Sequence, residues 1–305
     1  MNAGMNVMAM AQSIVQAHEA TLGLPVQPDA QALKGDVNDL VFAAALQAGH
    51  QLGFEPADAL CLAQAWSCQS LRIGEFHPQQ WPTEAVDFGM LPWPRKDAFA
   101  PCPQHLGLYA VMPDAAWTIR MARAGVPTVQ LRFKSGDAAA VRAEVMAAVA
   151  GVQGTGARLF INDHWQLAIE AGAYGVHLGQ EDLQAMKPAS LKAIKDAGLR
   201  LGLSTHGYAE MVIADQLSPS YIAMGAVFPT TLKQMATAPQ GTGRLAVYSQ
   251  LLRDYPRVAI GGIDKASLPA VLASGVGSVG VVRALMGAAD PEAEVATWNA
   301  AIQHD

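Results

Sequence analysis

From Pro103 to the end, the chain alternates short extended apolar runs with helical stretches, and it does so eight times. The strand candidates are Leu108–Met112, Thr128–Leu131, Leu159–Ile161, Val176–Leu178, Leu201–Leu203, Tyr221–Met224, Val258–Ile260 and Val279–Val282. Between and after them, apolar residues recur at helical spacing in Ala115–Ala124, Ala138–Ala150, Ser190–Ala197, Ala209–Gln216, Leu245–Tyr255, Leu268–Ala273 and Glu292–Ile302. Strands separated by helices must pair in parallel, because only a crossover of a dozen or more residues can return the chain to the same edge. Eight such units within about 200 residues predict an α/β chain closed into a (β/α)8 TIM-type barrel, with an open doubly wound sheet as the alternative.

One unit carries the most chemistry. Ile161–Leu183 reads as a strand end, a helix bearing Trp165, Ala168 and Ile169, a stop at Gly172 and Gly175, and a second strand. Each strand delivers a carboxylate as it finishes, Asp163 after RLFIN and Asp182 after GVHLGQ. Neighbouring strands lie roughly 4.8 Å apart. Both carboxylates can therefore reach one Mg²⁺, whose oxygen ligands stand at about 2.1 Å. The alternative is that Asp163 only caps a helix and Asp182 only opens a turn.

In a barrel the strand C-terminal ends share one face, and polar residues gather at each of them. QLRFK places Gln130, Arg132 and Lys134 at alternate positions, on one side of an extended segment. Asn162 and Asp163 follow the third strand, Gln180 and Asp182 the fourth, and Ser204, Thr205 and His206 the fifth. Thr230, Thr231 and Lys233 follow the sixth, Gly261 and Gly262 the seventh, and Val282 and Arg283 the eighth. Three cations, several neutral donors and two carboxylates suit a polyphosphate held with Mg²⁺. Tyr109 on the first strand is a further candidate contact, and His177 is either a satisfied core residue or a contact to an aromatic ligand. The run GVGSVG matches a dinucleotide fingerprint in letters but follows a helix and precedes a strand, the reverse of the required order. Gly261 and Gly262, beside the last strand, instead suit a monophosphate held by backbone N–H groups.

Residues 105–305 are thus the expected catalytic barrel. Before it, residues 76–104 form a Pro- and Trp-rich connection whose Trp81, Trp93 and Phe88 should lie against the body of the protein. Residues 1–75 form a helical extension, frayed over about its first 35 residues except for a short helix over Met8–His18, with a firmer hairpin of Asp39–Leu52 and Glu55–Leu71. Of 305 residues, 51% are hydrophobic and 15% charged, with a net charge of −6. That balance argues against nucleic acid as a partner, since no basic stripe exists to displace counterions. No segment approaches eighteen uninterrupted apolar residues and the first twenty residues carry no Lys or Arg ahead of an apolar run, so the expectation is a soluble cytoplasmic protein. Cys61 and Cys68 are two helical turns apart and Cys102 stands alone, which leaves no disulfide framework.

Taken together, VQLRFK, FINDHWQLAIEAGAYGVHLGQEDL, LGLSTHG, YIAMGAVFPTTLKQM, VAIGGI and GVGSVGVVRAL resemble the thiamine phosphate synthase (thiamine-phosphate pyrophosphorylase) family over about residues 106–300. The resemblance implies joining of hydroxymethylpyrimidine diphosphate to a thiazole phosphate, carboxylated or plain, with Mg²⁺ as cofactor and dissociative loss of pyrophosphate. It implies catalytic roles for Arg132, Lys134, Ser204 and Lys233, and pyrimidine or diphosphate contacts from Gln130 and Asn162. Asp163 and Asp182 become metal ligands, and Thr230, Gly262, Val282 and Arg283 thiazole phosphate contacts. The chain departs from the family pattern at Leu232, where a hydroxyl is common and which Thr231 could offset, at Phe133 and at Arg283. Two rivals are a thiazole tautomerase on the same barrel and a non-catalytic phosphate-ligand binding protein. LVFAAALQAGHQLGFEPADALCLAQAWSCQSL resembles the closing helices of ribokinase-like hydroxymethylpyrimidine phosphate kinases, which makes residues 1–75 a candidate degenerate remnant. The extension could also dock a thiamine-pathway kinase, and a homo-oligomer is compatible with the sequence.

Overall fold

The computed structural model describes residues 6–25, 38–92, 95–230 and 237–303. Eight parallel strands pair in chain order and close: β1 (Gly107–Met112), β2 (Thr128–Leu131), β3 (Arg158–Asn162), β4 (Gly175–Leu178), β5 (Arg200–Thr205), β6 (Tyr221–Met224), β7 (Arg257–Ile260) and β8 (Ser278–Val281). Tyr109 of β1 stands opposite both Thr128 of β2 and Gly280 of β8, so no edge is left and the open-sheet alternative is excluded. Alternation along each strand sends one set of side chains inward and the other against the helices. Inside, Leu106, Tyr109, Phe160, Tyr221, Ala223 and Val258 form their own apolar cluster. Such bulk fits only because facing positions are small. Gly202 pairs with Tyr221 across β5 and β6, and a Cβ at Gly202 would overlap the tyrosine ring.

Among the described residues, three α-helices precede the barrel, α1 (Val7–Leu22), α2 (Leu40–Gln51) and α3 (Pro56–Ile73). Ten more surround it: α4 (Ala115–Arg123), α5 (Ala138–Val152), α6 (Trp165–Ala171), α7 (Gln180–Ala185), α8 (Pro188–Asp196), α9 (Tyr208–Leu217), α10 (Gly241–Leu251), α11 (Leu268–Leu272), α12 (Arg283–Met286) and α13 (Pro291–Gln303). Three differ from the sequence expectation. The helix expected at Leu245–Tyr255 is α10, which begins earlier at Gly241, with Gln240 Oε1 accepting from Arg244 and Tyr248, and stops short of Tyr255 because Pro256 disfavours helical backbone before it. The short helices α7 and α12 give too few apolar repeats to register as periodic. As a result Val282 is not the last residue of a strand but precedes the first residue of α12.

The short helix expected over Met8–His18 is present and longer than expected. The helix α1 runs sixteen residues and buries Met10, Ala11, Ile14, Val15 and Leu22, a one-sided stripe. It packs on α2 and on α10 of the barrel. Within the hairpin, Ala44, Ala45 and Ala48 of α2 and Ala59, Leu62 and Ala63 of α3 are buried in the same continuous core as the barrel helices. Asp39 caps α2 by accepting from the Phe42 N–H at 2.9 Å. Trp81 and Phe88 are buried as expected, with the Trp81 indole N–H donating to Tyr208 Oη at 2.9 Å, while Trp93 lies outside the described residues. Further along, Arg95 and Asp215 form a buried ion pair, and the Leu91 N–H donates to the same carboxylate at 3.0 Å. All three cysteines are free. No described helix is long and apolar enough to cross a membrane.

Candidate active site

The C-terminal ends of the strands open onto one cavity of about 480 Å³. Its lining takes Tyr109 from β1, Gln130, Arg132 and Lys134 from β2 and its loop, Asn162 and Asp163 from β3, His177 from β4, Glu181 and Asp182 from α7, Ser204 and His206 from β5 and its loop, Tyr221 from β6, and Thr230, Gly261 and Val282 from the last three loops. Most residues singled out in the sequence therefore meet in one place. Gly262 and Arg283 flank the lining without being part of it. Thr231, Leu232 and Lys233 lie outside the described residues.

Regular pairing of β2 ends at Leu131, but the Arg132 N–H still donates to Met112 O at 2.8 Å, which keeps the next residues extended. Arg132 and Lys134 are thereby carried to the rim from a loop rather than from the strand itself. Asp163 has φ of +62°, a left-handed conformation that aspartate tolerates better than most residues. It does not cap α6, whose N-cap is His164 with no side-chain bond, so its carboxylate is left to the cavity. There Lys134 Nζ makes an ion pair with it. Asp182 reaches the same spot from the first turn of α7 rather than from a strand end, a position the helix dipole favours for an anion. Burial, and then the charge and hydrogen bond of nearby Asp163, push the Asp182 carboxyl above the ordinary aspartate range. Two carboxylates this close repel, and a cation between them relieves it.

Deeper in the barrel runs a chain of hydrogen bonds. Gln130 Nε2 donates to Tyr109 Oη at 3.4 Å, Tyr109 and Tyr221 share a bond of 2.6 Å, Tyr221 Oη meets His177 Nδ1 at 2.7 Å, and His177 Nε2 meets Ser204 Oγ at 2.8 Å. Burial pushes both tyrosine hydroxyls well above the usual phenol range, so they stay protonated at any physiological pH. Ser204 is also held by its backbone, since Gln180 Nε2 donates to Ser204 O at 2.6 Å. On the adjoining loop, both the backbone N–H and the Nδ1 of His206 meet Glu210 Oε2, at 2.8 and 2.7 Å.

The sequence did not single out Tyr221, Glu181 or the bond from Gln180 to Ser204. Tyr221 opens a strand at a position indistinguishable from any core aromatic. The signal for it lay in Gly202, an unexplained glycine inside a strand, which commonly marks the close approach of another group. His177 is buried, hydrogen-bonded at both ring nitrogens and part of the cavity lining. GVGSVG runs from the end of α11 into β8, as the reversed order required.

The family model for thiamine monophosphate synthase matches residues 108–285, from the start of β1 to just beyond β8. The thiamine-phosphate synthase of Neisseria meningitidis serogroup A is 54% identical over 202 residues, which cover 66% of this chain and 97% of that protein. The thiamine-phosphate synthase of Escherichia coli O1:K1 is 55% identical over 192 residues, covering 63% of this chain and 90% of that one. Among solved structures, thiamine phosphate pyrophosphorylase from Pyrococcus furiosus superposes with a TM-score of 0.57 at 25% identity, over 65% of this chain and 96% of the other. A match that takes in every barrel strand and its site-bearing loops means that the chain belongs to the thiamine monophosphate synthase family.

Proposed function

We propose that the cavity joins 4-amino-5-hydroxymethyl-2-methylpyrimidine diphosphate to thiazole phosphate, releasing pyrophosphate and giving thiamine phosphate. The observation that carries this reading is the meeting of Asp163, Asp182, Arg132 and Lys134 at one lip of a cavity whose floor is a neutral hydrogen-bonded chain. A diphosphate needs the first set and an uncharged aminopyrimidine ring needs the second. The two aspartates fit Mg²⁺, which takes one or two protein carboxylates and completes its shell with water and phosphate oxygens. That Lys134 already sits on Asp163 supports the fit, because the pair draws a cation. Bound Mg²⁺ would supply Lewis-acid stabilisation of the departing pyrophosphate.

The chain's own residues do the rest. Arg132, Lys134 and Lys233 neutralise the negative charge that grows on the leaving oxygens, in a site where water is displaced and such interactions strengthen. The pyrimidine lies against Tyr109, Gln130, Asn162 and His177. If Tyr109 accepted from both Gln130 and Tyr221, its own buried hydrogen would have no acceptor, which costs about 1–3 kcal/mol. Each hydroxyl therefore passes its hydrogen onward, from Tyr109 to Tyr221 and from Tyr221 to His177 Nδ1. His177 then carries its proton on Nε2 and donates to Ser204 Oγ, which leaves the Ser204 hydrogen to be given to an acceptor atom of the ring. The thiazole phosphate is held by Thr230, Gly262, Val282 and Arg283, which follow β6, β7 and β8; β7 and β8 stand four positions around the barrel from β3 and β4. Its ring nitrogen attacks the methylene carbon from that side, and no protein nucleophile is used.

The test is a turnover assay with both substrates. One thiamine phosphate per pyrophosphate, lost on chelation and absent when either substrate is omitted, is the expected result. Ligand binding without turnover at saturating thiazole phosphate would refute it, as would conversion of the thiazole alone.

A further inference from the structure

Helix α9 begins immediately after the loop that brings Ser204 and His206 to the cavity, and its N-cap residue is Gly207, which has no side chain to offer. The first backbone N–H groups of a helix need an acceptor, normally the side chain of the N-cap residue itself. Here the acceptor comes from the extension. Asp58, near the start of α3, accepts from the Ala209 N–H at 2.9 Å, and Ala209 is the second residue of α9. Glycine at 207 leaves the space that the Asp58 carboxylate occupies, and a Cβ there would push the carboxylate aside. On the same helix, Glu210 reaches back to the backbone N–H of His206, the residue before the N-cap, and so ties the preceding loop to the first turn.

The surrounding contacts fix this arrangement. Tyr208, the first residue of α9, accepts from Trp81 and stacks on Phe88 with ring centroids 5.0 Å apart. From α10, the buried Arg244 donates to Leu22 O at 2.9 Å and Leu52 O at 2.7 Å, carbonyls at the ends of α1 and α2. The extension thus grips two consecutive barrel helices at the ends nearest the cavity.

We propose that the N-terminal extension is a working part of the active site, with Asp58, from a distant segment of the same chain, supplying the cap that α9 lacks and so positioning Ser204 and His206. The inference rests on the reading of the cavity as the site of synthesis. It concerns residues outside the segment matched by the family model, 108–285. The groups facing Asp58 are Glu210 and Tyr208 on α9, Arg244 and Tyr248 on α10, and Glu55 and Cys61 on α3. Burial pushes its carboxyl up to about 6, so at neutral pH it is ionised and accepts as an anion, the stronger form of the cap.

The experiment uses the full chain with Asp58→Ala and Asp58→Asn, read by amide exchange over residues 204–210 and by kcat and KM for each substrate. Loss of a cap predicts roughly tenfold faster exchange at Ala209 in Asp58→Ala. A comparable fall in kcat/KM for the pyrimidine diphosphate should accompany it, with KM for thiazole phosphate within about twofold of wild type. Asp58→Asn keeps an oxygen that accepts from Ala209 and should restore both readouts. Asp58→Ser, too short to reach Ala209, carries the same expectation as Asp58→Ala should the latter fail to fold. Unchanged exchange and kinetics in the Ala or Ser variant would overturn the proposal, as would equal loss in Asp58→Asn. An inactive wild type would sink the functional reading alone, because the exchange measurement stands without turnover.

Discussion

Replacing Tyr221 with Phe removes one hydroxyl and nothing else, yet that oxygen joins two halves of the buried chain. Its loss takes from Tyr109 Oη the acceptor 2.6 Å away and from His177 Nδ1 the hydroxyl 2.7 Å away. Each orphaned buried group costs about 1–3 kcal/mol, so a destabilisation of about 3 kcal/mol is expected. For a chain of this length that lowers Tm by roughly 5 °C. The catalytic consequence is separate. Without the Tyr221 hydrogen, His177 is free to carry its proton on Nδ1 and to accept from Ser204, which turns the serine hydrogen away from the substrate. Losing one oriented donor in a catalytic cavity typically costs about 10²-fold in kcat. Tyr109→Phe leaves the bond from Tyr221 to His177 intact and should cost comparable stability with less than about tenfold loss of kcat. Thermal unfolding and steady-state kinetics on the two purified variants separate the effects. A Tyr221→Phe enzyme with lowered Tm but wild-type kcat, or the two variants losing kcat equally, would refute the directional chain.

Four further outcomes follow from the same structure. Lys233→Ala should depress kcat by orders of magnitude while leaving the unfolding transition in place, as measured by pyrophosphate release and circular dichroism; a near-wild-type rate would remove Lys233 from the leaving-group site. Stability should depend on pH through Asp58. Its carboxyl titrates at about 6 when folded and near 3.8 when unfolded, so across that window the folded protein keeps a proton the unfolded chain has lost, and stability falls as pH rises. The full effect is about 3 kcal/mol; Asp58→Asn should flatten the change in Tm between pH 4 and 7, and an unaltered slope would count against it. Arg244→Met should remove the side-chain donor of the Leu22 carbonyl and leave the Leu52 carbonyl with only the Leu24 N–H, and lower Tm by roughly 5 °C or more, with faster proteolysis of the extension. Asp163→Asn should raise the Mg²⁺ concentration needed for half-maximal turnover at least tenfold, and an unchanged requirement would exclude it as a ligand.

Much of the barrel was legible because its strands are short, apolar and β-branched, and because helices of ordinary length separate them. The strand starts and ends predicted from Leu108 to Val279 fall within a residue or two of those observed. What the sequence hid has a common physical reason. The helices α7 and α12, of six and four residues, are too short for a 3.6-residue period to appear. Asp182 was therefore read as leaving a strand end when it reaches the cavity from a helix. At the start of the extension only a short helix, Met8–His18, is legible, because glutamine, alanine and methionine dilute the apolar pattern of α1, whose burial depends on α2 and α10. The site's polar rim could be read from positions following each strand. Its floor could not, because Tyr221 and Gly202 meet only through the register of β5 against β6.

The central claim is that cationic side chains and a pair of carboxylates, brought together at one mouth of the barrel, hold a leaving diphosphate through a shared divalent ion. Calorimetric titration of inorganic pyrophosphate into the wild-type chain, with and without Mg²⁺, tests this most directly. Tighter binding by at least tenfold with Mg²⁺ is predicted, together with loss of that gain in the Asp163→Asn/Asp182→Asn double variant. Equal affinity with and without Mg²⁺, or a gain that survives the double substitution, would contradict it.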